Sequence, residues 1–453
     1  MLKYSLPLLL LIIFTTGCAP NENYRNDLSL CQYKNPGDCT GSAIQQSANA
    51  SDEEYQLGFV EFDDQGQLRN RQQLTAVLDH FYPIASQQEV LLVSFVHGWH
   101  HSAMPDDTNI IEFRNLLSRL ARAEAISSRD NGYTPRKVLG VYVGWRGDSI
   151  NLPWVNELTF WDRKNTAHNV GSGGVAEVFL KLEEIVNVKS AISSSAVSSS
   201  ANSLPPENPA SSHKNNSRLV VIGHSFGGAI VSTAMHQILT DRFIDSRRDK
   251  SFQGDANGFG DLVVLINPAF EAIKFSSLYD ISQQNCRRYF NTQLPKLAIL
   301  TSESDWATKY AFPAGRFFST LFETHSTLER HYCDENGKQT MQLDEGEAGR
   351  KSVGHFETYQ THKLVPSKKI LKRTANFKYQ SLHKTWLKLK PAQTMHFESV
   401  ELQHLDRTRP KNPYLNIYVD KPLIADHNDI WGDDVVSFIR DMIVISTSKT
   451  SVN

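Results

Sequence analysis

Short apolar runs recur along this chain, separated by longer stretches with helical spacing. Glu89 to His97 (EVLLVSFVH), Lys137 to Gly144 (KVLGVYVG), Leu219 to Ile222, Asp261 to Ile266 and Leu294 to Thr301 read as buried strands. Asn416 to Asp420 reads as the last one. Arg71 to Phe81, Thr108 to Ala125, Val175 to Val186 and Asp434 to Ser446 read as helices; in the second, Ile110, Phe113, Leu117 and Leu120 fall near one side. Gly58 to Phe62 alternates, turns at Asp63-Asp64-Gln65-Gly66 and resumes at Gln67-Leu68, which signals a hairpin. Strands alternating with helices predict an α/β fold: a mainly parallel central sheet with helices on both faces.

Polar stretches divide the pattern. Residues 19–53 carry few apolar positions and are expected to form a tether. Residues 190–217 are Ser-rich, then contain Pro205-Pro206 and Asn215-Asn216, and are expected to be a disordered insertion within a core spanning 54–305. Residues 306–413 are too long for a connection and predict a cap, with 414–453 completing the core. Within that cap, residues 363–390 are rich in lysine, lack acidic residues and interleave Phe377, Tyr379 and Trp386. Such a segment is either a solvated helical face or a surface for anionic lipid head groups. The formal net charge of −2 gives no overall attraction to nucleic acid.

The first 18 residues stand apart. Lys3 precedes an apolar run, Leu6 to Phe14, too short to span a bilayer, which ends in Thr15-Thr16-Gly17-Cys18. This resembles a bacterial lipoprotein signal. The resemblance implies cleavage before a lipidated Cys18 and, with Ala19 following, an anchor in the outer membrane of the cell envelope, on its periplasmic or surface face. The chain has five cysteines, so lipidation of Cys18 leaves Cys31, Cys39, Cys286 and Cys333, an even set suited to an oxidising compartment. Cys31 with Cys39 and Cys286 with Cys333 are plausible bridges, but sequence leaves the connectivity open.

The chemistry centres on Arg218 to Met235, RLVVIGHSFGGAIVSTAM, in which a G-x-S-x-G motif lies between an apolar run and a helical pattern. With Phe95 to Trp99 (FVHGW) upstream, the chain resembles the α/β-hydrolase superfamily of esterases and lipases. That resemblance makes Ser225 the expected nucleophile and the N–H groups of Phe226 and Trp99 the expected oxyanion donors. It also sets the order serine, acid, histidine. Asp305, in the loop after Leu294 to Thr301, is the expected acid, with Glu303 as its rival. His427 lies between the last strand and the last helix and is the expected base; His396 and His404 precede that strand.

His97, His100 and His101 suggest a metal, with Asp106 or Asp107, but no further spaced ligand pair accompanies them. His97 reads instead as a brace for the oxyanion loop. No cofactor or metal is called for by triad chemistry. Residues 145–174 are aromatic-rich and are expected to roof the pocket. The reading is a serine hydrolase of carboxylic esters, esterase- or lipase-like, with an acyl ester of unspecified type as substrate. The alternative is a catalytically silent envelope lipoprotein of the same fold that binds a partner.

Overall fold

The structure, a computed structural model, describes residues 22–35, 37–48, 51–131, 134–148, 160–199, 215–246, 254–320, 322–334, 336–368, 379–390 and 393–447. The strands are β1 (Asp27–Tyr33), β2 (Ser42–Ser47), β3 (Tyr55–Glu61), β4 (Val90–Val96), β5 (Lys137–Gly144), β6 (Arg218–His224), β7 (Leu262–Ile266) and β8 (Leu297–Ser302). They continue with β9 (Thr327–Asp334), β10 (Gly337–Asp344), β11 (His362–Pro366), β12 (Met395–His396), β13 (Val400–His404) and β14 (Tyr414–Val419). The helices are α1 (Arg71–Gln87), α2 (Thr108–Asn131), α3 (Phe160–Ser172), α4 (Val175–Ser199), α5 (Phe226–Asp245), α6 (Ser276–Gln283), α7 (Phe312–Ser319), α8 (Glu345–Arg350), α9 (Tyr379–Lys388) and α10 (Asp433–Thr447).

Twelve strands form one sheet in the order β1-β2-β3-β5-β4-β6-β7-β8-β14-β11-β13-β12. From β3 to β11 every neighbouring pair is parallel. Among the described residues of this sheet, the antiparallel strand pairs lie toward the rims, at β2–β3, β11–β13 and β12–β13. The fold is therefore α/β, with a mainly parallel central sheet flanked by helices.

The apolar runs explain the layers. Side chains alternate across a strand, so Val90, Leu92 and Val96 of β4 enter one core with α1, α4 and α5. Leu91, Val93 and Phe95 enter the other, with α2, α9 and α10. Leu219 and Val221 of β6 divide from Val220 and Ile222 in the same way. A strand buried on both faces is what an uninterrupted apolar run encodes.

Several boundaries differ from the sequence reading. Residues 27–33 and 42–47 are not tether: β1 and β2 extend the sheet beyond β3. The Cys31–Cys39 disulfide joins β1 to the turn before β2. Gln45 is buried and bonded inward: it donates to the carbonyls of Cys39 and Ser42 and accepts from Arg114. The expected hairpin at 58–68 reduces to an isolated bridge between Phe62 and Leu68, because β3 pairs with β5 instead. Of the expected disordered insertion, residues 190–199 are helical, since α4 runs to Ser199; residues 200–214 lie outside the described residues.

The 306–413 stretch is not one cap. Its first part contributes α7 and a separate β9–β10 hairpin, tied to the end of α6 by the Cys286–Cys333 disulfide. Its second part returns to the central sheet as β11, β12 and β13. In the basic segment, Leu382 and Trp386 of α9 are buried in the core and the Trp386 indole donates to the Gln293 carbonyl. That inward aromatic face makes α9 a packed helix whose Lys384 and Lys388 face solvent; residues 369–378 lie outside the described residues.

Candidate active site

β6 ends at His224 and α5 begins at Phe226, leaving Ser225 alone to turn the chain. Its backbone sits at φ 55, ψ −121, a region side chains seldom occupy and one that marks functional strain. Three contacts hold it: the Ser225 N–H donates to the Ile266 carbonyl of β7, and the Ser225 carbonyl accepts from Ala229 and Ala269. The turn needs glycine at Gly227, where a Cβ would lie 2.1 Å from the Val96 carbonyl oxygen. It needs glycine again at Gly98, where a Cβ would lie 2.8 Å from the Ser225 Cβ.

The residues expected at the site meet. His427 Nε2 lies 2.7 Å from Ser225 Oγ, and His427 Nδ1 lies 2.8 Å from Asp305 Oδ1. Asp305 is fully buried and also accepts from the Thr308 N–H at 3.0 Å and from the Thr308 hydroxyl. Burial alone would raise the Asp305 carboxyl, but the adjacent His427 and the bonds from His427 and Thr308 hold it below the ordinary carboxylate value. Glu303, the rival, is exposed, and its N–H donates to the Val419 carbonyl.

His427 sits on the loop between β14 and α10, and its carbonyl is gripped as firmly as its ring. That oxygen accepts from His224 Nε2 at 3.0 Å and from Asn267 Nδ2 at 2.9 Å. Asn267 in turn accepts from the Ser302 N–H at 2.9 Å, so one amide links the ends of β7 and β8 to the histidine loop. Ser302 Oγ donates to the Ile424 carbonyl of the same loop. His224 is fully buried, which, with His427 nearby, holds its pKa far below the usual value and keeps the ring neutral.

Of the expected oxyanion donors, Phe226 follows Ser225 directly, and the Trp99 ring lies 6.3 Å from the Phe226 ring. Phe226 is the first residue of α5, where amides have no intrahelical acceptor. Trp99 follows Gly98, whose Cα packs on Ser225. His97 holds that loop: Nδ1–H donates to the Gly98 carbonyl at 2.9 Å, and Nε2 accepts from the Trp145 N–H at 3.0 Å. The Trp145 indole donates back to the His97 carbonyl at 2.9 Å, and the two rings lie parallel, 6° apart. Burial lowers His97 to about 4, so it stays neutral and keeps this pattern at neutral pH.

The other histidines of the loop have separate partners, Asp148 for His100 and Asp107 for His101. Among the described residues no cluster of His, Cys, Asp and Glu is arranged to hold a metal. The aromatic wall runs from Trp99 to Phe160 (centroids 5.3 Å apart), to Phe226 (4.9 Å from Phe160) and on to Phe312 and Trp161. Of the expected roof, residues 149–159 lie outside the described residues. His396 and His404 stand on β12 and β13 beyond β14, each beside its own carboxylate, Glu401 and Asp406.

Sequence reasoning missed His224, Asn267, Thr308 and the bracing role of Trp145. Asn267-Pro268 directly after an apolar run is a turn signal, and Thr308 follows Asp305 at the spacing of a first helical turn. Nothing in the sequence shows that His224 reaches a carbonyl 203 residues away.

Residues 142–254 match the family model described as Lipase (class 3). The match begins in β5 and contains Ser225 with the glycine turn around it; Asp305 and His427 lie beyond it. No curated protein and no solved structure matches the chain.

Proposed function

We propose that this protein is a serine hydrolase that cleaves carboxylic esters through an acyl-enzyme. The observation that carries the reading is the hydrogen-bonded chain Ser225–His427–Asp305, at 2.7 Å and 2.8 Å. A nucleophile, a base and an orienter for that base are the parts acyl transfer requires, and the lipase (class 3) match over the serine turn supports ester chemistry.

His427 Nε2 takes the Ser225 proton as Oγ attacks the ester carbonyl. Asp305 keeps the other ring proton on Nδ1 and stabilises the imidazolium. The amides of Trp99 and Phe226 receive the oxyanion, and the brace from His97 and Trp145 keeps the first of them in place. The imidazolium then protonates the departing alkoxide, and a water activated by His427 releases the acid. Losing either amide removes about 3–4 kcal/mol of barrier lowering.

The N-terminal resemblance to a lipoprotein signal falls on residues outside the described set, so a Cys18 lipid anchor is part of this proposal. Both disulfides are in keeping with an exported chain. No helix among the described residues is long and apolar enough to cross a membrane.

A fluorophosphonate probe tests the reading. Labelling that disappears in Ser225→Ala, together with loss of p-nitrophenyl ester hydrolysis, is the expected outcome. A well-folded protein that the probe does not label would overturn it in favour of a silent binding protein.

A further inference from the structure

Three features share one edge of the sheet, where the parallel strands have their C-terminal ends. The first is Ser225, at the end of β6. The second is the segment after Asp305, in which Trp306, Tyr310 and Phe317 are 66%, 56% and 53% exposed. Residues 307–311 form a π-helical turn that runs directly into α7, so the three exposed rings belong to one continuous helical stretch. Phe312, on the other side, is buried against Phe160 and Trp161, which continue the aromatic wall to Trp99 and Phe226. One helical segment thus carries the site wall inside and an aromatic stripe outside. Trp and Tyr, with apolar bodies and polar tips, suit the interface of a bilayer, and Phe adds apolar area to it.

The third feature is where the described chain starts. The Tyr24 and Arg25 amides donate to Glu61, the last residue of β3, and Arg25 Nε donates to the Ala103 carbonyl in the loop after β4. Met104, beside it, is 47% exposed. The chain therefore enters the fold on the same edge. β3 and β8 are five places apart in the sheet, roughly 24 Å at the usual strand spacing, with β6 between them. Cys18 precedes Tyr24 by six residues, a reach of at most about 20 Å.

We propose that this edge is a bilayer-docking face, carried by Trp306, Tyr310 and Phe317, which turns the Ser225 site toward the membrane that the N-terminus reaches. A long tether would let the domain turn freely. With β1 and β2 folded into the sheet, the connection is too short for that. The substrate class that follows is an ester embedded in that same bilayer. This last step rests on the hydrolase reading; the docking itself does not.

The docking test uses the full chain carrying Cys18→Ser, in which the remaining native cysteines are disulfide-bonded. An environment-sensitive nitrobenzoxadiazole label is placed at Tyr310→Cys, and vesicles of phosphatidylethanolamine and phosphatidylglycerol are added. Blue-shifted emission, quenched at least twofold by brominated lipid, is expected; the same label at Ile244→Cys on α5 should stay water-like. A Tyr310 label that stays water-like with millimolar lipid overturns the proposal. The substrate test uses Tyr310→Ser/Phe317→Ser in the natural Cys18 background. Hydrolysis of a vesicle-embedded ester should fall at least tenfold, while hydrolysis of dissolved p-nitrophenyl acetate stays within twofold. Equal losses on both substrates overturn the orientation argument. If the unaltered protein hydrolyses neither ester, the hydrolase reading fails, and the label still decides the docking.

Discussion

The clamp on the His427 carbonyl gives the sharpest test of how the site is held. Asn267 is fully buried at φ 44 and bridges the Ser302 N–H to His427 O. Asn267→Gly removes the amide without asking a new side chain to hold a left-handed backbone. The Ser302 N–H then lacks its acceptor inside the protein, which costs about 1–3 kcal/mol, and one neutral bond to the His427 carbonyl goes with it, another 0.5–1.5 kcal/mol or so. The expected loss is roughly 2–4 kcal/mol in urea unfolding. His224 still holds the carbonyl from one side, so the loop stays near the serine but can rock. Misplacement of a catalytic group by about 1 Å costs up to 100-fold, so kcat on a dissolved ester should fall about 10- to 100-fold with KM changed little. The companion His224→Leu should act in the same direction, and the double variant should exceed either alone. A variant that loses the stability yet keeps kcat within twofold would refute the claim that the carbonyl clamp positions the imidazole.

His97 should make stability pH-dependent. Burial lowers it to about 4, so the unfolded chain takes up its proton first, and stability falls as pH drops from about 6.5 to about 4. The total is about 3 kcal/mol, and His97→Asn should flatten that part of the stability curve in urea unfolding across pH. At Gly227 a Cβ would meet the carbonyl oxygens of Val96 at 2.1 Å and His97 at 2.4 Å, backbone atoms of the neighbouring strand end that cannot swing aside. Gly227→Ala should therefore cost more than about 3 kcal/mol or abolish folding, read by circular dichroism and soluble yield.

The legible parts of this chain are those where apolar patterning and chemistry coincide. The serine turn could be read because a buried strand, a glycine turn and a helix follow one another without interruption in Leu219 to Met235. His427 and Asp305 could be placed because the hydrolase resemblance implies the order serine, acid, histidine, and the apolar runs show which loops follow the late strands. β1 and β2 could not be read, because Gln45, Gln46 and Ser42 look like tether residues until their hydrogen bonds are known. β11 and β13 were hidden for a related reason: near the rim of the sheet they carry Lys363, Glu401 and His404 among their apolar positions. The clamp by His224 and Asn267 acts on a backbone oxygen. Such contacts leave no spacing in the sequence, since any residue at position 427 would present the same carbonyl.

The strand that arrives last in the chain, Tyr414–Val419, does not lie at a rim; it slots between β8 and β11. Until the ribosome has made it, the sheet has a gap with two unsatisfied strand borders, and His427, which follows it, does not yet exist. A product truncated before this point would lack the partner of Ser225 and be prone to pairing with other chains through those borders. Completion of the scaffold and assembly of the Ser225–His427–Asp305 hydrogen-bonded chain are thereby the same late event in biosynthesis.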